Sequence, residues 1–270
     1  MPVPVSAPAP AAAPAPAQAT AQAAGGRAVG ARARSARLRI PILVYHAVLP
    51  LERGARVRGT VALDAFREQI GWLARRGYTA LSLDRAAGIL AGTAPPVRRS
   101  VVITFDDGYR CVHEHALPVL REAGFTATLF VVTDVVGGRS EWYVAKGGRA
   151  FLHADWAELE RAAADGFTIG SHTARHRRLT DLPPAELDEE LTSSGEAIRR
   201  RLGRCEHFAY PYGGWSEAVA ARVLAAGYRT ACTTEPGKNR AGQPLTALRR
   251  QGVSRTTQGG RFRRRMGAWF

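Results

Sequence analysis

Residues 101–108 read VVITFDDG, an apolar run that ends on two adjacent carboxylates and a glycine. Four β-branched residues and a phenylalanine in a row suit a buried strand, and Gly108 allows the chain to turn sharply as it leaves. Asp106 and Asp107 are thus expected together at a strand end. By itself, Asp-Asp-Gly also reads as an exposed polar turn. Two carboxylates this close repel each other, so burying them is costly unless a cation sits nearby.

The same grammar repeats on both sides. Upstream, IPILVY (40–45) is a second short apolar run, ending at His46. Asp64 is expected to cap a helix in which Phe66, Ile70 and Leu73 share a face, with Gly77 closing it before an extended segment at 79–83. Downstream, helices are expected over 112–123, 156–165, 185–202 and 216–226, and strands over 126–132, 167–169, 207–210 and 228–232. Short strands alternating with longer helices predict an α/β fold with a mostly parallel sheet. Functional groups in such sheets gather at the carboxyl ends of the strands. The residues directly after the strands are His46, Asp106-Asp107-Gly108, Ser171-His172 and Pro211-Tyr212-Gly213.

A chain of 270 residues that is 46% hydrophobic can bury one substantial core, which is expected over 38–257. Residues 1–37 are Ala/Pro-rich and too poor in large apolar groups to order themselves. They read as a disordered extension, with a leader or a misplaced start as alternatives. The formal charge of +15 is concentrated at the two ends. Five arginines (Arg27 to Arg39) precede any acidic residue, and Arg249, Arg250, Arg255, Arg261 and Arg263 to Arg265 follow the last one, Glu235. Residues 258–270 therefore read as a basic C-terminal tail, either simply solvated or in peripheral contact with an anionic cell envelope. A nucleic-acid partner is suggested by charge alone and lacks a reading motif. Cys111, Cys205 and Cys232 are odd in number and without CxxC spacing, so buried small hydrophobes are expected. No signal peptide or membrane span is recognisable, and the chain reads as soluble. The compartment and the oligomeric state stay open.

His172 and His176 stand four apart in SHTARH, right after the expected strand FTIG. On a helical turn this spacing would aim two imidazoles at one ion, although HxxxH alone is only moderately specific. Asp107 would complete a His-His-carboxylate set with positions open for water and substrate, as a catalytic zinc site needs. A non-haem iron centre uses the same ligand types.

TFDDG (104–108), SHTxxH (171–176) and YPYG (210–213), in this order, resemble the first three motifs of the polysaccharide deacetylase superfamily, carbohydrate esterase family four. The resemblance covers roughly 40–253, and three ordered motifs are far more specific than one. It implies a distorted (β/α) barrel of about seven parallel strands. It further implies Asp106 as general base, Asp107, His172 and His176 as ligands of a divalent metal ion, zinc first, and Tyr212 as backbone donor to an oxyanion hole. The implied reaction is metal-dependent removal of N-acetyl groups from a polysaccharide containing N-acetylglucosamine, with release of acetate. The resemblance also favours an extracytoplasmic or cell-envelope location.

Two departures from the usual pattern matter. The family places an arginine shortly before its PYG turn to pair with the base, where this chain has Phe208-Ala209-Tyr210. Arg250 is the candidate replacement and Arg249 the second, unless both simply belong to a basic C-terminal face. The family also finds its general acid in a late histidine motif, yet no histidine follows His207. The branch acting on poly-N-acetylglucosamine is circularly permuted, with that motif on the first strand, and ILVYHAV matches it. His46 is then the general acid, the alternative being a buried histidine capping a strand. Trp142, Tyr143 and Trp215 could stack on sugar rings or serve as packing. Competing readings are a catalytically silent glycan-binding protein of the same fold and an amidohydrolase for a small cyclic amide or formamide. The sequence does not choose between poly-N-acetylglucosamine, peptidoglycan and chitin oligomers.

Overall fold

The computed structural model describes residues 39–52, 55, 57–140, 142, 144 and 149–267. The expected extension 1–37, Tyr143 and the last three residues lie outside the described residues. In chain order the elements are β1 (Ile42–Tyr45), β2 (Ala47–Leu49), β3 (Thr60–Ala62), α1 (Leu63–Arg75), β4 (Thr79–Ala80), α2 (Leu83–Leu90), β5 (Ser100–Phe105), α3 (Leu117–Glu122), β6 (Thr128–Val131), β7 (Arg139–Ser140) and β8 (Phe151–Leu152). They continue with α4 (Trp156–Ala164), β9 (Thr168–Ser171), α5 (Pro184–Leu202), β10 (His207–Ala209), α6 (Glu217–Ala225), β11 (Thr230–Cys232), β12 (Gln251–Gly252) and α7 (Gly259–Gly267).

Seven parallel strands form the sheet in the order β11-β10-β9-β6-β5-β1-β12, with β4 pairing the start of β5. Cys232 and Leu248 form a parallel bridge, and Thr233 N–H donates to the Leu248 carbonyl at 2.8 Å, so the segment before β12 also reaches β11. The sheet curls into the expected distorted (β/α) barrel. Alternation along β5 divides its side chains between two packing layers. Val101, Ile103 and Phe105 join the main core under the helices, while Val102 packs with Ile42, Phe130, Ala209, Cys232 and Leu248. Asp106 continues the Val102–Thr104 row, which is why an apolar strand can present a carboxylate at its end.

Several local expectations are corrected. Asp64 is not the cap of α1 but lies in its first turn, 3.6 Å from Arg67, while Phe66, Ile70 and Leu73 are buried as expected. The extended segment stops at Ser82, whose Oγ accepts from the Arg85 N–H and starts α2. The helix expected over 112–123 is divided into a π-turn at Val112–Ala116 and α3. Pro118 has no N–H for the bond to residue 114 and its ring crowds that carbonyl, which accounts for the wider turn. The stretch read as a basic tail contains α7, whose Phe262 and Met266 are buried. Phe262 meets Trp72 edge-on at 6.1 Å and Arg263 pairs with Glu68 at 2.7 Å, fixing the helix on α1. Two apolar residues four apart are a faint signal among arginines.

Candidate active site

Asp106 leaves β5 beside the end of β1, because Tyr45 pairs with Phe105 and the Asp106 N–H donates to the Tyr45 carbonyl at 3.0 Å. His46 follows Tyr45 and is half-buried. It stands within electrostatic reach of Asp106, His172 and His176. The Asp106 carboxylate receives a bidentate pair from Arg250, Nη1 to Oδ1 and Nη2 to Oδ2, both at 2.7 Å. Arg250 is wholly buried, and its Nε and Nη1 also donate to the Thr233 carbonyl and Thr104 Oγ1. Burial alone would raise the Asp106 carboxyl, but the guanidinium outweighs it and holds the group at about 2. Arg249 points elsewhere, to Glu235 at 3.6 Å.

The two histidines do not meet on a helical turn. After β9 the chain runs through an irregular loop in which Thr173 and His176 have left-handed φ values of 70° and 60°. Thr173 holds that loop: its Oγ1 accepts from the His176 N–H at 2.9 Å, and its own N–H donates to Ser171 Oγ at 3.1 Å. His172 Nδ1–H donates to the Ala209 carbonyl at 2.7 Å, since a carbonyl can only accept. This leaves Nε2 of His172 as the bare nitrogen, 3.6 Å from Asp107 Oδ1, while Nε2 of His176 is 3.4 Å from the same oxygen. Burial lowers both imidazoles to about 4, so they are neutral near pH 7.

The donor set fits a divalent cation. One ligand atom each from Asp107, His172 and His176 falls within 4.8 Å of the others, and all three residues are buried. Asp107 Oδ2 and His176 Nδ1 are buried without a hydrogen-bond partner in the structure, and Asp107 itself has a left-handed φ of 74°. A buried carboxylate oxygen without a donor is costly, and a metal ion would compensate it.

The turn after β10 completes the rim. Tyr212 has φ 59°, and its ring packs 4.7 Å from His176 with the Arg178 guanidinium 5.1 Å away. Gly213 is required behind it, since a Cβ there would lie 1.8 Å from Thr234 Oγ1. Trp142 stacks on the His176 ring at 4.6 Å and donates from Nε1 to Tyr109 Oη at 2.9 Å. Tyr109 and the buried His153, 5.0 Å apart, extend this aromatic wall but gave no signal in the sequence. The holding role of Thr173 and of the Ala209 carbonyl was equally invisible there. Trp215 lies by Glu235, to whose Oε1 its Nε1 donates at 2.9 Å.

The family described as polysaccharide deacetylase matches residues 93–231, which hold all three motifs but neither His46 nor Arg250. The chain is 29% identical over 225 residues to YxkH of Bacillus subtilis (strain 168), whose name assigns it provisionally to the polysaccharide deacetylases. That similarity spans 83% of this chain and 75% of the relative. It is 28% identical over 118 residues to the poly-beta-1,6-N-acetyl-D-glucosamine N-deacetylase of Escherichia coli (strain K12), covering 42% of this chain but 18% of that much longer enzyme. The solved structure of IcaB from Ammonifex degensii superposes with a TM-score of 0.71 at 25% identity, over 81% of this chain and 93% of that one. The motif-bearing half matched by the family, set on a barrel shared along most of the chain, places this protein in the polysaccharide deacetylase family, as a hydrolase of carbon–nitrogen amide bonds.

Proposed function

We propose that the chain is a metal-dependent deacetylase of polysaccharide containing N-acetylglucosamine, yielding acetate and a free sugar amine. The observation that carries this reading is the Asp106–Arg250 pair standing directly beside the Asp107, His172 and His176 donor set. Those three residues would hold the cation, and the hydrolytic chemistry proposed favours zinc over the iron that the same ligand types also bind. When bound, the cation supplies Lewis acidity, acidifying water and polarising the acetamide carbonyl.

The remaining chemistry belongs to the chain's own side chains. Asp106, kept ionised and oriented by Arg250, accepts a proton as water adds to the carbonyl carbon. The Tyr212 N–H, on the left-handed turn at the rim, donates to the negative charge that develops on the carbonyl oxygen. His46 donates a proton to the nitrogen as the carbon–nitrogen bond breaks, so that the sugar leaves as an amine. Similarity to the Escherichia coli enzyme supports an N-acetylglucosamine polymer as substrate, and His46 directly behind the first strand agrees with the permuted branch.

Acetate release by the metal-reconstituted chain on poly-N-acetylglucosamine, peptidoglycan glycan strands and chitin oligomers tests the proposal. Release from at least one is expected. A folded, metal-loaded protein that frees no acetate from any of them refutes it.

A further inference from the structure

The chain between β11 and β12 borders a cavity of about 580 Å³ that Trp215 also lines. Its charged lining is Glu235 against Lys238, Arg240 and Arg249, three cations to one carboxylate. Glu235 is engaged by the Trp215 N–H and faces Arg249 at 3.6 Å, whereas Arg240 has no carboxylate partner among the described residues. These groups stand on a fixed frame. Buried Asn239 accepts from the Arg249 N–H through Oδ1 and donates from Nδ2 to the Arg249 carbonyl, both at 2.9 Å, and to the Ile40 carbonyl at 3.1 Å. Gly237 leaves room for the Arg249 side chain, since a Cβ there would come within 2.5 Å of its Cδ.

The cavity is joined to the elements of the reaction centre through the chain itself. Arg249 is consecutive with Arg250, the Arg250 N–H donates to the Glu235 carbonyl at 3.0 Å, and Trp215 lies two residues beyond Gly213. A volume of this size is in the range of small-ligand sites, roughly 300–1,000 Å³. An indole offers a sugar ring an apolar face, and converging cations recognise an oxyanion.

We propose that this cavity is a subsite for an anionic substituent, a carboxylate or a phosphate, carried by a sugar near the one being deacetylated. The inference rests on the deacetylase reading and narrows it: the substrate is an acidic N-acetylated glycan. A neighbouring glucosamine, cationic once its acetyl group is gone, is disfavoured at the same place.

The test compares three tetramers of N-acetylglucosamine: neutral, oxidised to carboxylate at C6, and phosphorylated at C6. Solvent-exposed ion pairs are individually weak, so the full-length metal-loaded enzyme should show a kcat/KM about three- to tenfold higher on one or both acidic tetramers. The preference should shrink in about 1 M salt, where the screening length is about 3 Å. In the double variant Lys238→Ala/Arg240→Ala it should vanish while the rate on the neutral tetramer is unchanged. Preference for the carboxylated or the phosphorylated tetramer identifies which anion the cavity takes. Equal rates on all three, or a preference that survives in the double variant, overturns the subsite. If no tetramer releases acetate, the deacetylase reading fails and tryptophan fluorescence titration decides the subsite separately. Tighter binding of an acidic tetramer, lost in the double variant, upholds it, and equal binding overturns it.

Discussion

At the amino ends of β10 and β11, His207 hydrogen-bonds Thr230 Oγ1 at 2.8 Å and lies 3.3 Å from Asp84 Oδ1, with Arg204 and Arg229 also near that carboxylate. At the carboxyl ends, His172 and His176 face Asp107, which has one oxygen without a hydrogen-bond partner. Both clusters contain buried histidine and a carboxylate, but their surroundings differ. The His207 cluster ties α2 to the sheet with each ring nitrogen partnered and with ordinary backbone angles. The His172–His176 cluster combines unpaired buried atoms with left-handed backbone at Asp107, Thr173, His176 and Tyr212, four of the five non-glycine residues with positive φ among the described residues. Residue type alone does not separate a structural histidine from a ligand. Between these two clusters, unpaired polar atoms combined with backbone strain mark the carboxyl-end histidines as the candidate ligands, because both cost free energy that packing alone does not repay.

Substitutions at the two ends should therefore act differently. The largest effect is expected from His172→Ala or His176→Ala, each losing bound metal and, as a bound cation would supply several kcal/mol, about 10³-fold in activity. Metal analysis of the purified variants checks this, and near-stoichiometric metal in either removes it from the ligand set. Asp106→Asn should keep its metal and lose about 10²–10⁴-fold in kcat; a loss of only a few-fold would mean that Asp106 is not the base. His46→Ala should keep fold and metal by circular dichroism and metal analysis and lose about 10²-fold in rate. A near-normal rate would return His46 to a packing role.

Arg250→Met strands a buried carboxylate and should cost about 3–5 kcal/mol in urea unfolding. Asp106 is held at about 2 in the fold against an ordinary 3.8, so the pair's contribution is complete above 3.8 and lost as the pH falls through about 2. Without Arg250 the acid transition should move to higher pH; an unmoved transition would show that the pair does not govern acid stability. The smallest effect belongs to the other end. Asp84→Asn should destabilise by about 1 kcal/mol at pH 7 and leave activity intact. The His207 hydrogen bond lowers the Asp84 carboxyl, so this difference should disappear as acid protonates the parent's group. A large loss of activity in Asp84→Asn would erase the distinction between the two ends.

Much of this organisation is local. VVITF, ILVY and FTIG are apolar runs that form strands in most contexts, and the residues behind them fall at strand ends whatever the rest of the chain does. For that reason Asp106, Asp107, His172, His176, Tyr212 and His46 are legible as candidates behind the strand ends. The manner in which His172 and His176 meet was not. Their four-residue spacing suggested a helical turn, but Thr173 and His176 adopt left-handed angles that the sequence does not announce.

The sequence by itself determined the strand-and-helix rhythm, the side-chain chemistry at each strand end and the family motifs, because these depend on periodicity within a few residues. Tertiary structure decided the partnerships: Arg250 rather than Arg249 on Asp106, 144 residues away, the Ala209 carbonyl that fixes His172, and α7 docked where a tail was expected. Such pairings depend on how the sheet curls to bring β12 beside β1 and the preceding segment against β11. That curl is a sum of strand twist and packing over the whole chain, which no short stretch encodes.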